Sequence, residues 1–267
     1  MSTMRRYSVL AIFLLGLFAT ACRPTEELVP EIVSTREVNR DGRIIVEATL
    51  DDESQMYFEI LSGTSACVCS AMVFYDEISH DSPYYGSYYG TVVVPESFVH
   101  YGQSYTVTRV GNGAFEGSSN LVEVVLPNTI EDIGSGAFAT CTSLKAINLP
   151  EGIQYIGIST FLSCHSLKTI RIPDSVEGIY LSAFYDCIGL ESIELGKQLK
   201  SCGALPFAGC TSLTTVICHS PTPPALFDET DSFLDDPIQE IRVPAASVDA
   251  YREAVGWNRY ADQIVGY

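Results

Sequence analysis

The chain has 267 residues, of which 33 are acidic and 15 basic, a formal charge of −18 at pH 7. A field of that sign repels phosphate backbones and argues against a nucleic-acid partner. Hydrophobic residues make up 46% of the chain against 18% charged, so it builds a packed core and is not a disordered acidic tail.

The first residues read as a leader. Arg5 and Arg6 precede an apolar run from Val9 to Phe18, and small residues Ala19-Thr20-Ala21 precede Cys22. That order describes a secretory signal peptide over residues 1–21. The run is shorter than the roughly 20 residues a membrane-spanning helix needs. A cysteine in that place resembles a bacterial lipobox, which implies lipidation of Cys22 as the first residue of a lipoprotein. The alternative is an ordinary signal peptide with a chance cysteine. Residues 22–39 read as a polar tether. Its Glu26 and Glu27 resemble the surface-export signal of lipoproteins in some host-associated Gram-negative bacteria, or are plain solvated linker charge. The expected location is the outer membrane, lipid-anchored and exposed at the cell surface. Membrane contact is then through the anchor alone, which more than one acyl chain makes stable.

Residues 40–110 read as an N-terminal β cap and the first repeat strand. A strand over 40–50, MYFEIL (Met56–Leu61) and VCSAMVFY (Val68–Tyr75) form the antiparallel part. The segment YGTVVVP carries Tyr89, Val92 and Val94 at the inward positions of a strand. A hairpin turn at Tyr101-Gly102-Gln103-Ser104 follows. The tyrosine-rich run Ser82–Gly90 either packs on the cap or, because tyrosine suits interfaces, forms a loop that binds sugar or protein.

Residues 111–237 repeat. Leu121, Leu144, Leu167, Leu190 and Leu213 share one step of 23 residues, as do Phe115, Phe138, Phe161, Phe184 and Phe207. Cys141, Cys164, Cys187 and Cys210 keep that step too, and Pro127, Pro150 and Pro173 mark one point in three consecutive units. A period in the twenties is the signature of a leucine-rich-repeat solenoid, whose units pack only against their neighbours. Each unit begins with a strand that sends alternate side chains inward, proline ends it, and a second apolar pair such as Ile153 and Ile156 follows. The segment holding the phenylalanine then returns, expected as one helical turn. The four periodic cysteines stack in a ladder, and Cys202 and Cys218 take isoleucine and leucine slots. Cysteine in a core slot behaves as a small hydrophobe, so structural thiols are expected, with no metal.

Residues 238–267 complete the array. Ile238, Ile241 and Val243 fit the strand template once more, giving seven parallel strands. Val248 to Val255 reads as an amphipathic closing helix, with Tyr251 and Trp257 covering the last coil. The expected fold is thus a β-rich α/β leucine-rich-repeat solenoid, a right-handed superhelix of 23-residue repeats. An antiparallel β cap closes its N-terminus and a short helical cap its C-terminus.

The strand LKAINLP, the segment IGSGAFATC and the terminal VPAASVDAYREAVGW together resemble the BspA-type leucine-rich-repeat surface proteins of bacteria, over about residues 55 to 267. The resemblance implies cell-surface exposure and adhesion to host matrix proteins or other cells. It brings no shared catalytic residues, and the family's ligands differ between members. The fourth unit departs from the pattern with Gly196 for proline, Cys202 for isoleucine and Pro206 for alanine.

No catalytic constellation is visible. His80, His100, His165 and His219 sit in no metal-ligand spacing. A Cys164–His165 nucleophile pair is disfavoured, because Cys164 belongs to the core ladder. A non-enzymatic role follows, with no cofactor. Its partner is an extracellular protein or another cell-surface ligand, a glycan among them. The outward strand positions supply the candidate face: Thr91, Glu123, Asn148, Thr169, Arg171, Ser192, Glu194, Thr215, Glu240 and Arg242. The rival functions are a glycan-binding accessory lipoprotein of a nutrient-uptake system and a structural protein of the envelope.

Overall fold

A computed structural model describes residues 31–40, 43–50, 55–61, 63–69, 88–227, 232–233 and 235–267. The signal peptide, Cys22, the first part of the tether, residues 70–75 of VCSAMVFY and most of the tyrosine-rich run lie outside the described residues.

Four strands open the described part of the chain: β1 (Ile32–Arg40), β2 (Arg43–Leu50), β3 (Gln55–Ile60) and β4 (Ser65–Cys69). They pair antiparallel in sequence order. β1 takes up most of the second half of the 22–39 segment expected to be tether, its backbone pairing with β2 between Ile32 and Arg40. Next come β5 (Tyr89–Val93), β6 (Ser97–His100) and β7 (Gln103–Val110). β6 and β7 form the expected hairpin. Its turn residues Tyr101 and Gly102 have φ of 46° and 77°, the left-handed pair that a type I′ turn requires. The cap is not purely antiparallel, since β4 pairs parallel with β7.

Each repeat then contributes a front strand and a two-residue back strand. In order these are β8 (Asn120–Val125) and β9 (Asp132–Ile133), β10 (Ala146–Ile147) and β11 (Tyr155–Ile156), β12 (Thr169–Arg171) and β13 (Gly178–Ile179), β14 (Ser192–Leu195) and β15 (Ser201–Cys202), and β16 (Thr215–Cys218) and β17 (Ala225–Leu226). The last coil holds β18 (Glu240–Val243), helix α1 (Val248–Glu253) and β19 (Ile264–Gly266). All seven expected front strands are present, and β19 adds an eighth, parallel to β18. They form two hydrogen-bonded groups, β5-β8-β10 and β12-β14-β16-β18-β19.

The return side is not a helical turn. Its N–H groups divide between two jobs. Those of Gly136, Phe138 and Thr140 donate to Ile158, Thr160 and Leu162 of the next coil at 2.9, 2.9 and 2.7 Å. The intervening Ala137, Ala139 and Cys141 close turns onto Gly134, Gly136 and Phe138. A helix would use every N–H locally, so stacking wins half of them. The geometry needs two left-handed residues per coil: Gly113, Gly136, Ser159, Ser182 and Leu205 at one position, and Gly117, Thr140, Ser163, Asp186 and Gly209 at the other.

Inside the coils the phenylalanines form one column. Phe115, Phe138, Phe161, Phe184 and Phe207 are fully buried, with successive centroids 5.0, 5.3, 5.1 and 5.8 Å apart and planes within 21°. Tyr88 caps the column at one end, 4.6 Å from Phe115, and Phe233 extends it at the other. Tyr88, not Tyr89, turns inward at the first repeat strand: Tyr89 is 68% exposed, because Gly90 takes the register opposite Leu121.

The periodic cysteines are more than small hydrophobes. The thiols of Cys141, Cys164, Cys187 and Cys210 donate to the carbonyls of Phe115, Phe138, Phe161 and Phe184, each at 3.1 or 3.2 Å. Each thiol thereby gives a donor to a carbonyl one coil back. All seven cysteines whose side chains are described are buried and free of disulfides. Burial pushes Cys141 up to about 12 and Cys164 well above the usual thiol range.

Two departures of the fourth unit have backbone reasons. A Cβ on Gly196 would lie 2.1 Å from the Pro173 carbonyl oxygen, so the backbones meet too closely for proline. Pro206 forfeits the local turn bond that Ala183 makes to Tyr180 but keeps the coil-to-coil bond, its carbonyl accepting from Phe184 N–H at 2.7 Å. At the far end α1 is shorter than expected. Tyr251 is fully buried and its hydroxyl donates to the Ser220 carbonyl at 2.9 Å. The Trp257 indole donates to Pro224 at 2.8 Å.

Candidate ligand-binding face

The front strands put the candidate residues where alternation predicts. Val92, Val124, Ile170, Ile193, Val216 and Ile241 point into the core, each at most 9% exposed. Their neighbours Thr91, Glu123, Thr169, Ser192, Thr215 and Glu240 form one outward row. Register ties Thr91 to Glu123 and runs Thr169, Ser192, Thr215, Glu240 across four parallel strands. Two residues on, Arg171, Glu194, Ile217 and Arg242 make the second row. The structure thus brings these positions onto one sheet face.

They are not equally free to bind. The Asn148 side chain is committed to backbone: its Oδ1 accepts from Leu126 N–H at 2.7 Å and its Nδ2 donates to the Leu126 carbonyl at 2.8 Å. It substitutes for a ladder rung beyond the end of β8 and acts structurally. Thr91 donates to Glu123 at 3.5 Å, and Arg242 pairs with Glu240 at 2.7 Å.

Arg171 is a junction of charges and not a lone cation. It meets Glu151 at 3.0 Å, Glu194 at 3.4 Å and Asp174 at 3.6 Å. Glu194 in turn holds His219 at 2.7 Å, and the other nitrogen of that ring meets the Tyr267 hydroxyl. Asp174 pairs with Lys197 at 2.8 Å. The chain of charges crosses four coils, from the exposed Glu151 and Arg171 to the partly buried Asp174 and His219. Glu151 raises the Arg171 guanidinium above its ordinary range by hydrogen bonding, and Lys197 lowers Asp174 in the same way. Glu151, Asp174, Lys197, His219 and Tyr267 are additions to the face that outward-strand counting does not reach. Glu151, Asp174 and Lys197 were within reach of the sequence, since they lie one period apart in the turn after each strand.

Among the described residues no group of three or more His, Cys, Asp or Glu is placed to hold a metal ion, and no helix is long and apolar enough to cross a membrane. The arrangement offers hydrogen-bond donors, acceptors and exchangeable ion pairs on a flat, small-residue surface, which fits a flat epitope better than an enclosed small molecule.

Residues 103–223 match, in six copies, the family model described as the BspA type leucine rich repeat region. Solved structures similar to the chain include two bacterial leucine-rich-repeat proteins. A leucine-rich-repeat protein of Bacteroides ovatus shares 21% identity, with 82% of this chain and 48% of that one covered and a TM-score of 0.50. The T. pallidum leucine-rich-repeat protein shares 24% identity, with 76% and 91% covered and a TM-score of 0.50. This chain spans about half the length of the Bacteroides ovatus protein. At these identities the likeness is one of fold. No curated protein matches the chain.

Proposed function

We propose, from the premise that the repeat region of this chain belongs to the BspA-type leucine-rich repeats, that it is a non-enzymatic, lipid-anchored protein of the bacterial outer membrane. Its front sheet binds an extracellular protein, and adhesion is the role of that binding. The observation that carries this reading is the front face itself. Its strands align mostly polar residues in two outward rows, Thr169, Ser192, Thr215 and Glu240 beside Arg171, Glu194, Ile217 and Arg242, around the Arg171 ion-pair junction, where exposed pairs are worth little to stability and can be exchanged for pairs with a partner. Proteins of this repeat fold serve generally as binding scaffolds. Cys22 behind its leader supports the anchor, and the acidic tether supports export to the surface.

Two measurements test the reading. Intact cells are treated with a membrane-impermeant amine reagent, which should label the chain, while Cys22→Ala should release it from the membrane fraction. The purified full chain in detergent is then offered to a panel of immobilised extracellular-matrix proteins and, in parallel, to polysaccharides. Binding to a matrix protein that falls at least several-fold in Arg171→Glu supports the front-face reading. Protection of the chain from label removes the adhesin, and binding to polysaccharide alone replaces it with a glycan-binding role.

A further inference from the structure

The opposite side of the solenoid carries an interruption that the stacked core does not need. Parallel ladders join β7 to β9 and run from β11 through β13 and β15 to β17. Among the described residues none joins β9 to β11. A second departure sits at the same place. Thr129 and Ser175 use their hydroxyls to donate to the carbonyls of Val107 and Ile153, each at 2.7 Å. The residue between them in the period is Gly152, so the corresponding Ile130 carbonyl lacks that hydroxyl donor. A Cβ on Gly152 would come within 2.9 Å of that oxygen.

The result is an open slit of about 480 Å³, lined by Glu131, Asp132, Gly152, Gln154 and Tyr155. Its aromatic wall is prepared from the far side. Tyr155 stacks on Tyr180 with centroids 5.5 Å apart and planes 21° from parallel, both rings more than 40% exposed. Tyr180 stands one period from Gly157 and Gly203, where other coils turn on glycine. Gly178 stands opposite Tyr155 in the ladder, and a Cβ there would meet the Tyr155 ring at 3.2 Å. The two positions have exchanged tyrosine and glycine, and the exchange lets one ring brace the other. Tyr155 lines the slit with Tyr180 behind it.

The polar lining is rich in acceptors. Asp132 is held by Arg109 across the neighbouring strand, at 2.9 Å from Nε, whereas Glu131 makes no ion pair among the described residues. A ligand for this slit must be planar enough to stack on a phenol ring, rich in donors and positively charged. The guanidinium group meets all three demands: it stacks on aromatic faces and offers a rigid fork of N–H donors to carboxylates. The charge of −18 over the chain favours the approach of a basic segment. We propose that the slit between β9 and β11 binds an arginine side chain of a partner protein. Tyr155 supplies the stacking face and Glu131 the carboxylate, on a side of the molecule separate from the front sheet.

The test uses the full chain in detergent, labelled for amide NMR, and a blocked five-residue peptide with one arginine flanked by glycines. Saturable shifts are expected at the amides of Gly152, Gln154 and Tyr155. Glu131→Gln and Tyr155→Ala should each weaken binding roughly tenfold, which corresponds to about 1.4 kcal/mol. Both side chains are surface groups, so an unchanged melting temperature verifies that these variants remain folded. The same peptide with citrulline, which keeps the shape and loses the charge, should bind as weakly as the variants. Equal binding of the citrulline peptide, or shifts indifferent to both substitutions, overturns the proposal. Shifts at these amides with maltohexaose and none with the arginine peptide would assign the slit to carbohydrate instead.

Discussion

Replacing Phe161 by alanine tests whether the aromatic column holds the solenoid together. The ring is fully buried in the middle of the array. Its neighbours Phe138 and Phe184 lie 5.3 and 5.1 Å away, with planes tilted by only 5° and 10°. Removing a buried phenylalanine costs about 3–5 kcal/mol through lost transfer and the cavity left behind. Each aromatic contact adds roughly 0.5–1.5 kcal/mol beyond its area, which places this site at the upper end, about 4–5 kcal/mol. At roughly 2–4 °C per kcal/mol for a fold of this size, calorimetry should show a fall of about 8–20 °C. Because a repeat array is stabilised by nearest-neighbour terms, the transition should also broaden as the two halves uncouple. Phe161→Leu keeps most of the apolar volume and should cost roughly half as much. A fall of less than about 3 °C for the alanine variant, or equal losses for alanine and leucine, would refute the view that stacked rings supply the cohesion.

Three further expectations follow from the backbone, the thiols and the charges. Gly136 has φ of 64° and open space beyond it, Ala139 Cβ being 4.0 Å from where its own Cβ would sit. Gly136→Ala should therefore cost about 1–2 kcal/mol through left-handed strain alone, read as a lower urea midpoint at unchanged slope, and an unchanged midpoint would contradict the turn geometry. Burial raises Cys141 to about 12 and Cys164 well above the usual thiol range; since the thiolate is the reactive form, both should resist iodoacetamide at pH 8 in the folded protein and react in denaturant, as mass spectrometry would show. Arg171→Ala should change stability by only about 0–1 kcal/mol in thermal melts at physiological salt, and a larger loss would make the junction structural and not a surface held for a partner.

Much of this molecule was written in its period. Leucines at a step of 23 residues placed the front strands, and the same step placed the rings of Phe115 to Phe207 in one column. The ends of the column escaped that count. Phe233 follows Phe207 by 26 residues, and Tyr88 precedes the first full unit. The return side escaped for a different reason. Its small and apolar residues are spaced as a helical turn would space them, and only the next coil's carbonyls decide that half of its N–H groups point outward from the turn. The left-handed positions are filled by glycine, serine, threonine, aspartate and leucine, too varied to announce a common backbone. On the candidate face, alternation correctly turned Arg171 and Glu194 outward. It had no way to see that Asn148 would spend its amide on Leu126, because the loss of a ladder rung is a property of two coils and not of one.

In a molecule this regular, departures from the repeat divide into two physical kinds. Gly196 and Pro206 alter the pattern where the backbone leaves no alternative or loses one local bond, and the core closes over both. The departures around β9 and β11 do the opposite. Gly152 withdraws a hydroxyl bridge that its neighbours in the period, Thr129 and Ser175, make, the ladder stays open, and the tyrosine–glycine exchange at 155, 157, 178 and 180 leaves two aromatic rings more than 40% exposed. Each of these reduces what stacking one coil on the next can contribute, since an exposed ring buries less area and an open rung forgoes its hydrogen bonds. The column of buried phenylalanines beneath runs through this region without a break, Phe138 and Phe161 staying 5.3 Å apart. The core therefore holds the coils in place while the surface above them stays open, which is the arrangement a rigid binding slit requires.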